Sequence, residues 1–108
     1  MKSLKYVFVG TAAAALMMAG QAKAEWPEKS IEFVIPFGAG GGADIEGRLI
    51  AKAMSKELGQ PVVPVNKPGG GGAITYTYVK NSKPDGYTIA WNSTSVLTST
   101  NIGNVPFD

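Results

Sequence analysis

The sequence predicts an α/β protein, the opening of a doubly wound domain with the order β-α-β-α-β. Short apolar runs recur at 29–36, 61–65 and 87–91, and a longer stretch of helical periodicity separates the first two. Each apolar run also empties into a loop of Gly, Ser, Thr or Asn. Strands apolar on both faces belong in a parallel sheet. Such sheets bind ligands beyond the carboxyl ends of their strands, where those three loops would meet.

Lys29–Pro36 (KSIEFVIP) is the first strand, because Ile31, Phe33, Val34 and Ile35 are too apolar for one wet face. The glycine loop that follows leads into a helix, with Asp44 placed as its N-cap. Ile45, Leu49, Ile50, Ala53, Met54 and Leu58 repeat at helical spacing and form its expected buried stripe. Gly59 follows as a natural C′ residue, while Gly47 weakens the helix by roughly 1 kcal/mol against alanine. Pro61–Val65 (PVVPV) is the second strand, its prolines limiting where it pairs. After Asn66-Lys67-Pro68 and four glycines comes Ala73–Ser82 (AITYTYVKNS). Propensity favours a strand there, whereas a position between two parallel strands favours a crossover helix. Lys83-Pro84-Asp85-Gly86 is a turn, and Tyr87–Trp91 (YTIAW) is the third strand, running into Asn92-Ser93-Thr94-Ser95. From there to Asp108 no complete element is evident.

The first 24 residues read differently. Lys2 and Lys5 precede the apolar run Tyr6–Gly20, and Ala22-Lys23-Ala24 gives a small-x-small pattern. These are the parts of a secretory signal peptide, cleaved after Ala24. The run is shorter and poorer in large apolar residues than the ~20 needed to span a bilayer. The mature chain is thus expected to be exported, periplasmic, and not membrane-spanning. It loses Lys2, Lys5 and Lys23 from ten basic residues and none of eight acidic ones, leaving a net charge of −1. The basic character belongs to the leader, which excludes nucleic acid as a partner. With no His and no Cys, a Ser-His-Asp triad, a thiol nucleophile and a Cys/His metal site are excluded as well. Asp44 and Glu46 diverge on a helix and make a poor oxygen cage. The expectation is no catalysis, no metal and no cofactor.

Gly38-Ala39-Gly40-Gly41-Gly42-Ala43 satisfies G-x-G-x-x-G/A, the dinucleotide pattern. The acid expected about 20 residues later is missing, since Asn66 stands there. A Rossmann-like nucleotide-binding enzyme therefore remains the alternative. A small carboxylate fits better, because free amides at a helix start bind carboxylates as they bind phosphates. Asp44, pointing back at the helix amides, would leave the preceding loop amides available. A purely structural turn is the bland reading, set against the convergence of three polar loops.

Larger blocks now become specific. WPEKSIEFVIPFGAGGGADIEGR, LGQPVVPVNKPGGGG, KPDGYTI and the closing NVPFD occur in this order and cover essentially the whole mature chain. In these blocks the chain resembles the start of a tripartite tricarboxylate transporter receptor, the TctC or Bug family of periplasmic solute-binding proteins. The resemblance implies a hinged, two-lobed, periplasmic-binding-protein-like fold that closes on a small organic carboxylate of the di- or tricarboxylate class. The receptor would feed a membrane permease with large and small subunits. It further implies that Phe37, Gly38, Ala39, Gly40, Gly41, Gly42 and Asp44 face the ligand through backbone amides and ordered water. Asn66, Ser93 and Thr94 would border the same cleft. Ser30 stands where the family usually has proline, and AITYTYV is more β-branched than the helix common there. Family members are also much longer, so the expectation is a truncated fold: residues 25–108 as part of a first lobe, with sheet edges and apolar faces uncovered. A small exported α/β interaction module is the remaining alternative. Trp26 and Trp91 read as packing residues, Arg48 as a surface or interlobe ion-pair residue, and Lys52, Lys56 and Glu57 as a solvated helix face. The sequon Asn92-Ser93-Thr94 is read as coincidence.

Overall fold

The structure, a computed structural model, describes residues 25–107. The expected leader, residues 1–24, and Asp108 lie outside the described residues. In chain order the elements are β1 (Ile31–Ile35), α1 (Gly42–Leu58), β2 (Val62–Asn66), a 3₁₀ turn (Gly70–Gly72), α2 (Ala73–Lys80), β3 (Thr88–Ala90) and α3 (Ser95–Asn101). The three strands form one parallel sheet ordered β2-β1-β3. The α/β fold and the parallel sheet expected from sequence are therefore present.

Being central explains why β1 is the most apolar strand: Ile31, Val34 and Ile35 are all fully buried. The edge strand β2 tolerates Pro64 for a geometric reason. The Pro61 carbonyl accepts from the Ile31 amide, and the Lys67 amide donates to the Ile35 carbonyl. Odd-numbered residues of β2 thus face β1, and the missing N–H of Pro64 falls on the open edge. The Val62 amide, on that same edge, donates to the Ser55 hydroxyl of α1 at 2.7 Å.

Ala73–Lys80 is helical, so the crossover requirement overrides the β propensity of AITYTYVK. A second difference lies beyond Trp91, where α3 forms in a segment with no evident pattern. It is held by contacts from elsewhere in the chain: the Ser99 hydroxyl donates to the Gly71 carbonyl, and the Asn104 side chain to that of Gly70. Its buried residue is a serine, and a serine facing inward is invisible to an apolar-periodicity reading.

The third difference concerns the face of α1. Ile45, Leu49 and Ile50 are 56%, 64% and 45% exposed, whereas Asp44, Gly47 and Ala51 are buried. The helix meets the sheet through Ala43, Gly47 and Ala51, continued by Met54 and Leu58 against Ile31, Phe33, Ile35 and Val62. Small residues let the helix approach closely. A β-carbon at Gly47 would lie 2.9 Å from Cδ1 of Ile35 and 3.4 Å from Cε1 of Phe33. Gly47 thus costs helix propensity and gives close packing in return. The C-terminus follows expectation: Gly59 has φ 72° and donates to the Ser55 carbonyl at 3.0 Å.

Trp26 packs at 6.2 Å on Tyr87, and Trp91 joins the core cluster and meets Phe37 edge-on at 6.5 Å. Both are packing residues. Lys52, Lys56 and Glu57 are exposed, as expected of a solvated face.

Candidate functional site

All three expected site segments follow the carboxyl ends of the strands: Phe37–Gly41 after β1, Asn66–Gly69 after β2 and Asn92–Thr94 after β3. They resolve into two regions built on different chemistry.

The first is the glycine loop. Helix α1 starts at Gly42 with Gly41 as N-cap, so Asp44 is the third helical residue and not the cap. The cause is the loop's extended backbone at Gly41, ψ 175°, which lets the helix begin two residues earlier. From its position Asp44 acts as a hub. Its Oδ2 accepts the Gly40 amide at 2.9 Å, and its Oδ1 accepts Arg48 Nε at 2.8 Å and Asn66 Nδ2 at 2.9 Å. Those donors stabilise the anion, the Gly40 amide most and Asn66 next, against an opposing desolvation. The carboxyl is held down to about 2, from an ordinary 3.8. One loop amide is therefore occupied by Asp44, contrary to the expectation that all would be available. The first amides of α1 have no intrahelical partner, as at any helix start. They lie beside Gly38, Ala39 and Gly41, which are exposed.

Asn66 has a role that the sequence did not show. Its Nδ2 also donates to the Phe37 carbonyl at 2.9 Å, and its Oδ1 accepts Arg48 Nη2 at 2.9 Å. Both protons of its amide group are consumed within the protein, so this side chain ties loop to strand rather than presenting donors outward. Arg48 pairs with Asp44 and Asn66 inside the same lobe, so the interlobe alternative is set aside. A signal was available: Asp44 and Arg48 are spaced i, i+4. The partnership with Asn66, 18 residues on, was not readable locally.

The second region is lined with hydroxyls. Ser93, Thr94, Ser95, Thr98 and Ser99 surround an open hollow of about 320 Å³ together with Gly71. The Tyr76 hydroxyl lies 2.9 Å from Ser95 Oγ, which lies 2.9 Å from Ser93 Oγ. Thr75, fully buried, donates its hydroxyl to the Lys67 carbonyl at 2.8 Å. The hollow joins the second and third loops. Phe37 and the first glycine loop do not line it, so the ten expected residues do not gather in one concavity.

Cationic side chains stand back from both regions. Lys67 Nζ sits 4.3 Å from the centre of the Tyr78 ring, Lys29 is over Tyr87 and Lys80 over Phe107. What the site offers an anion is amide and hydroxyl donors, with the Asp44 charge countered by Arg48.

Residues 47–108 match the model of the tripartite tricarboxylate transporter family receptor. Among curated proteins, a UPF0065 protein of Cupriavidus necator is 44% identical over 86 residues, covering 76% of this chain and 26% of the relative. Among solved structures, a TctC solute-binding protein from Polaromonas with no ligand is 42% identical, with a TM-score of 0.72 over 77% of this chain and 29% of that one. The R. palustris protein Rpa4515, solved with adipate, is 36% identical, with a TM-score of 0.65 over 67% of this chain and 24% of that one. The chain thus spans about a quarter of the length of the relatives it matches. Among the described residues, no helix is long and apolar enough to cross a membrane. With the family model matching more than half of it, the chain belongs to the tripartite tricarboxylate transporter receptors, a family of periplasmic solute-binding proteins rather than enzymes.

Proposed function

We propose that residues 25–108 are part of the first lobe of a receptor for a small organic carboxylate. In this reading the receptor captures its ligand in the periplasm for a tripartite permease with large and small subunits. The observation that carries the proposal is the glycine loop at the carboxyl edge of the sheet, with α1 opening directly behind it. Amides at a helix start attract an anion through orphan donors and the helix dipole together. Asp44 would spoil such a site if its charge were free. Arg48, Asn66 and the Gly40 amide absorb that charge.

Gly38, Ala39, Gly41 and Gly42 then supply backbone donors, and Phe37 closes the loop's flank against Trp91. Ser93 and Thr94 contribute hydroxyls from the neighbouring hollow. Asp44 and Asn66 act through the loop they hold. Adipate in the Rpa4515 structure supports a linear dicarboxylate as the ligand class. A nucleotide is disfavoured because Asn66, at the end of β2, is committed to Phe37, Asp44 and Arg48.

The test is thermal unfolding of the purified chain with malate, adipate and citrate at millimolar concentration, and with ADP as a control. A carboxylate that raises the midpoint, by an increment growing as RT ln(1 + [L]/Kd), supports the reading. A rise with ADP alone, or with none of the four, refutes it for this chain.

A further inference from the structure

We propose that Tyr76 is a positioning residue that polarises a hydroxyl chain, Tyr76–Ser95–Ser93, so that Ser93 presents its proton to an acceptor in the hollow. The inference rests on the proposed carboxylate site and assigns a direction to part of it.

The chain runs from the buried phenol through Ser95 Oγ to Ser93 Oγ, with two steps of 2.9 Å. Either atom of each pair can donate, so distances alone leave two orientations. Ser93 Oγ also accepts the Ser95 backbone amide at 3.3 Å. If Tyr76 donates to Ser95 and Ser95 donates to Ser93, both acceptor positions of the Ser93 hydroxyl are filled. Its own proton must then point elsewhere. The hollow lies there, since Ser93 is among its walls. In the reverse orientation Ser93 spends its proton on Ser95, and the phenolic proton is left without a partner among the described residues. Tyr76 is only 6% exposed, and a polar group stranded in such a place costs free energy. The phenol is also the better donor and poorer acceptor, because its ring withdraws the oxygen lone pair. Both arguments select the outward direction. Consecutive hydroxyl bonds polarise one another, which strengthens the last donor in the series.

The ring holding this phenol cannot drift. A β-carbon at Gly72 would lie 2.5 Å from Tyr76 Cε2, so the ring rests directly on the backbone of the 3₁₀ turn. Gly72 itself has φ 100°, a conformation that glycine supplies. A donor at Ser93 favours a ligand that offers only acceptors, which is the chemistry of a carboxylate and not that of its amide.

The test is calorimetric titration of the whole chain with malate, adipate and citrate in turn, then with the amide of whichever acid binds. Tyr76→Phe keeps the ring and removes the hydroxyl. It should weaken the acid roughly 3- to 10-fold, the range of a single hydrogen bond, and change the amide less than about twofold. In a Ser93→Ala background the same substitution should change acid binding less than about twofold, because the last donor is already gone. Ser95→Ala breaks the chain without touching the ring and should reproduce the loss. Equal losses from Tyr76→Phe with and without Ser93 overturn the relay, since they mark a role in structure alone. Unchanged acid binding in Tyr76→Phe overturns it as well. Failure of the unsubstituted chain to bind any of the three acids overturns the carboxylate site itself, which separates that outcome from failure of the relay.

Discussion

The glycine loop and the hydroxyl hollow sit on the same edge of one sheet and solve the same problem in opposite ways. At the loop, a carboxylate and a guanidinium are brought within 2.8 Å, and an asparagine from β2 closes the arrangement. The backbone is thereby fixed by charge, and the donors left over for a ligand are amides. At the hollow there is no charge among the lining side chains. Its order comes from hydroxyls that can each donate or accept, so it can reorient for what it meets. A rigid dipolar cradle beside an adaptable hydroxyl wall is a division of labour: the first attracts an anion, the second discriminates among anions.

Substitutions can break or sharpen that comparison. The largest effect is expected where the loop's helix meets the sheet. Gly47→Val would push methyl groups into Ile35 and Phe33, already 2.9 and 3.4 Å from a bare β-carbon. Overpacking of this kind should cost about 1–3 kcal/mol, read as a lower urea midpoint. Gly38→Ala is the control, because nothing lies within 4 Å of its β-carbon position and its φ is not positive. Its midpoint should stay within ~0.5 kcal/mol of the parent, as for an ordinary surface change.

Removing the asparagine comes next. Asn66→Ala leaves the Phe37 carbonyl and one bond each of Asp44 and Arg48 unmade. A loss of about 1–2 kcal/mol is expected, with the hollow's own hydrogen bonds intact. Equal disturbance of Ser93 and Ser95 resonances by NMR would show that the two regions are one unit and not two.

The pH dependence separates the regions more finely. The Asp44 carboxyl is held at about 2 when folded against 3.8 ordinarily. A depressed pKa contributes stability that is present above the ordinary value and lost as pH falls through the folded one. Unfolding midpoints of the parent should therefore drop between about pH 4 and pH 2, and Asp44→Asn should flatten that part of the curve. Nothing in the uncharged hollow titrates there.

The smallest effect is expected at Arg48. Its side chain is 48% exposed, and solvent screens such pairs, so Arg48→Ala should cost no more than about 0.5–1 kcal/mol, shrinking with added salt. Its larger consequence falls on binding, because Asp44 would then face an incoming anion with less of its charge countered. Weaker carboxylate binding at unchanged stability would confirm that division.

Some of this was legible without coordinates. The apolar runs around Ile31–Ile35 and Thr88–Ala90, the C′ glycine at Gly59 and the polar loops at the strand ends follow from local chemistry, and local chemistry is what a sequence carries. Blocks such as FVIPFGAGGGAD and KPDGYT carried the family resemblance, and the family match over 47–108 agrees with it. Tertiary structure alone decided the rest. Ala73–Lys80 became helical because a parallel sheet needs a crossover, against its own propensity. Helix α1 buried Gly47 and Ala51 and exposed Leu49 because a close approach to Ile35 favours small residues over large ones, which inverts an apolar-stripe reading. Asp44 became a hub because Asn66, distant along the chain, ends the neighbouring strand. Spacing along a chain reports which residues share a face, but only the packed sheet decides which face is covered and which distant side chain satisfies a buried charge.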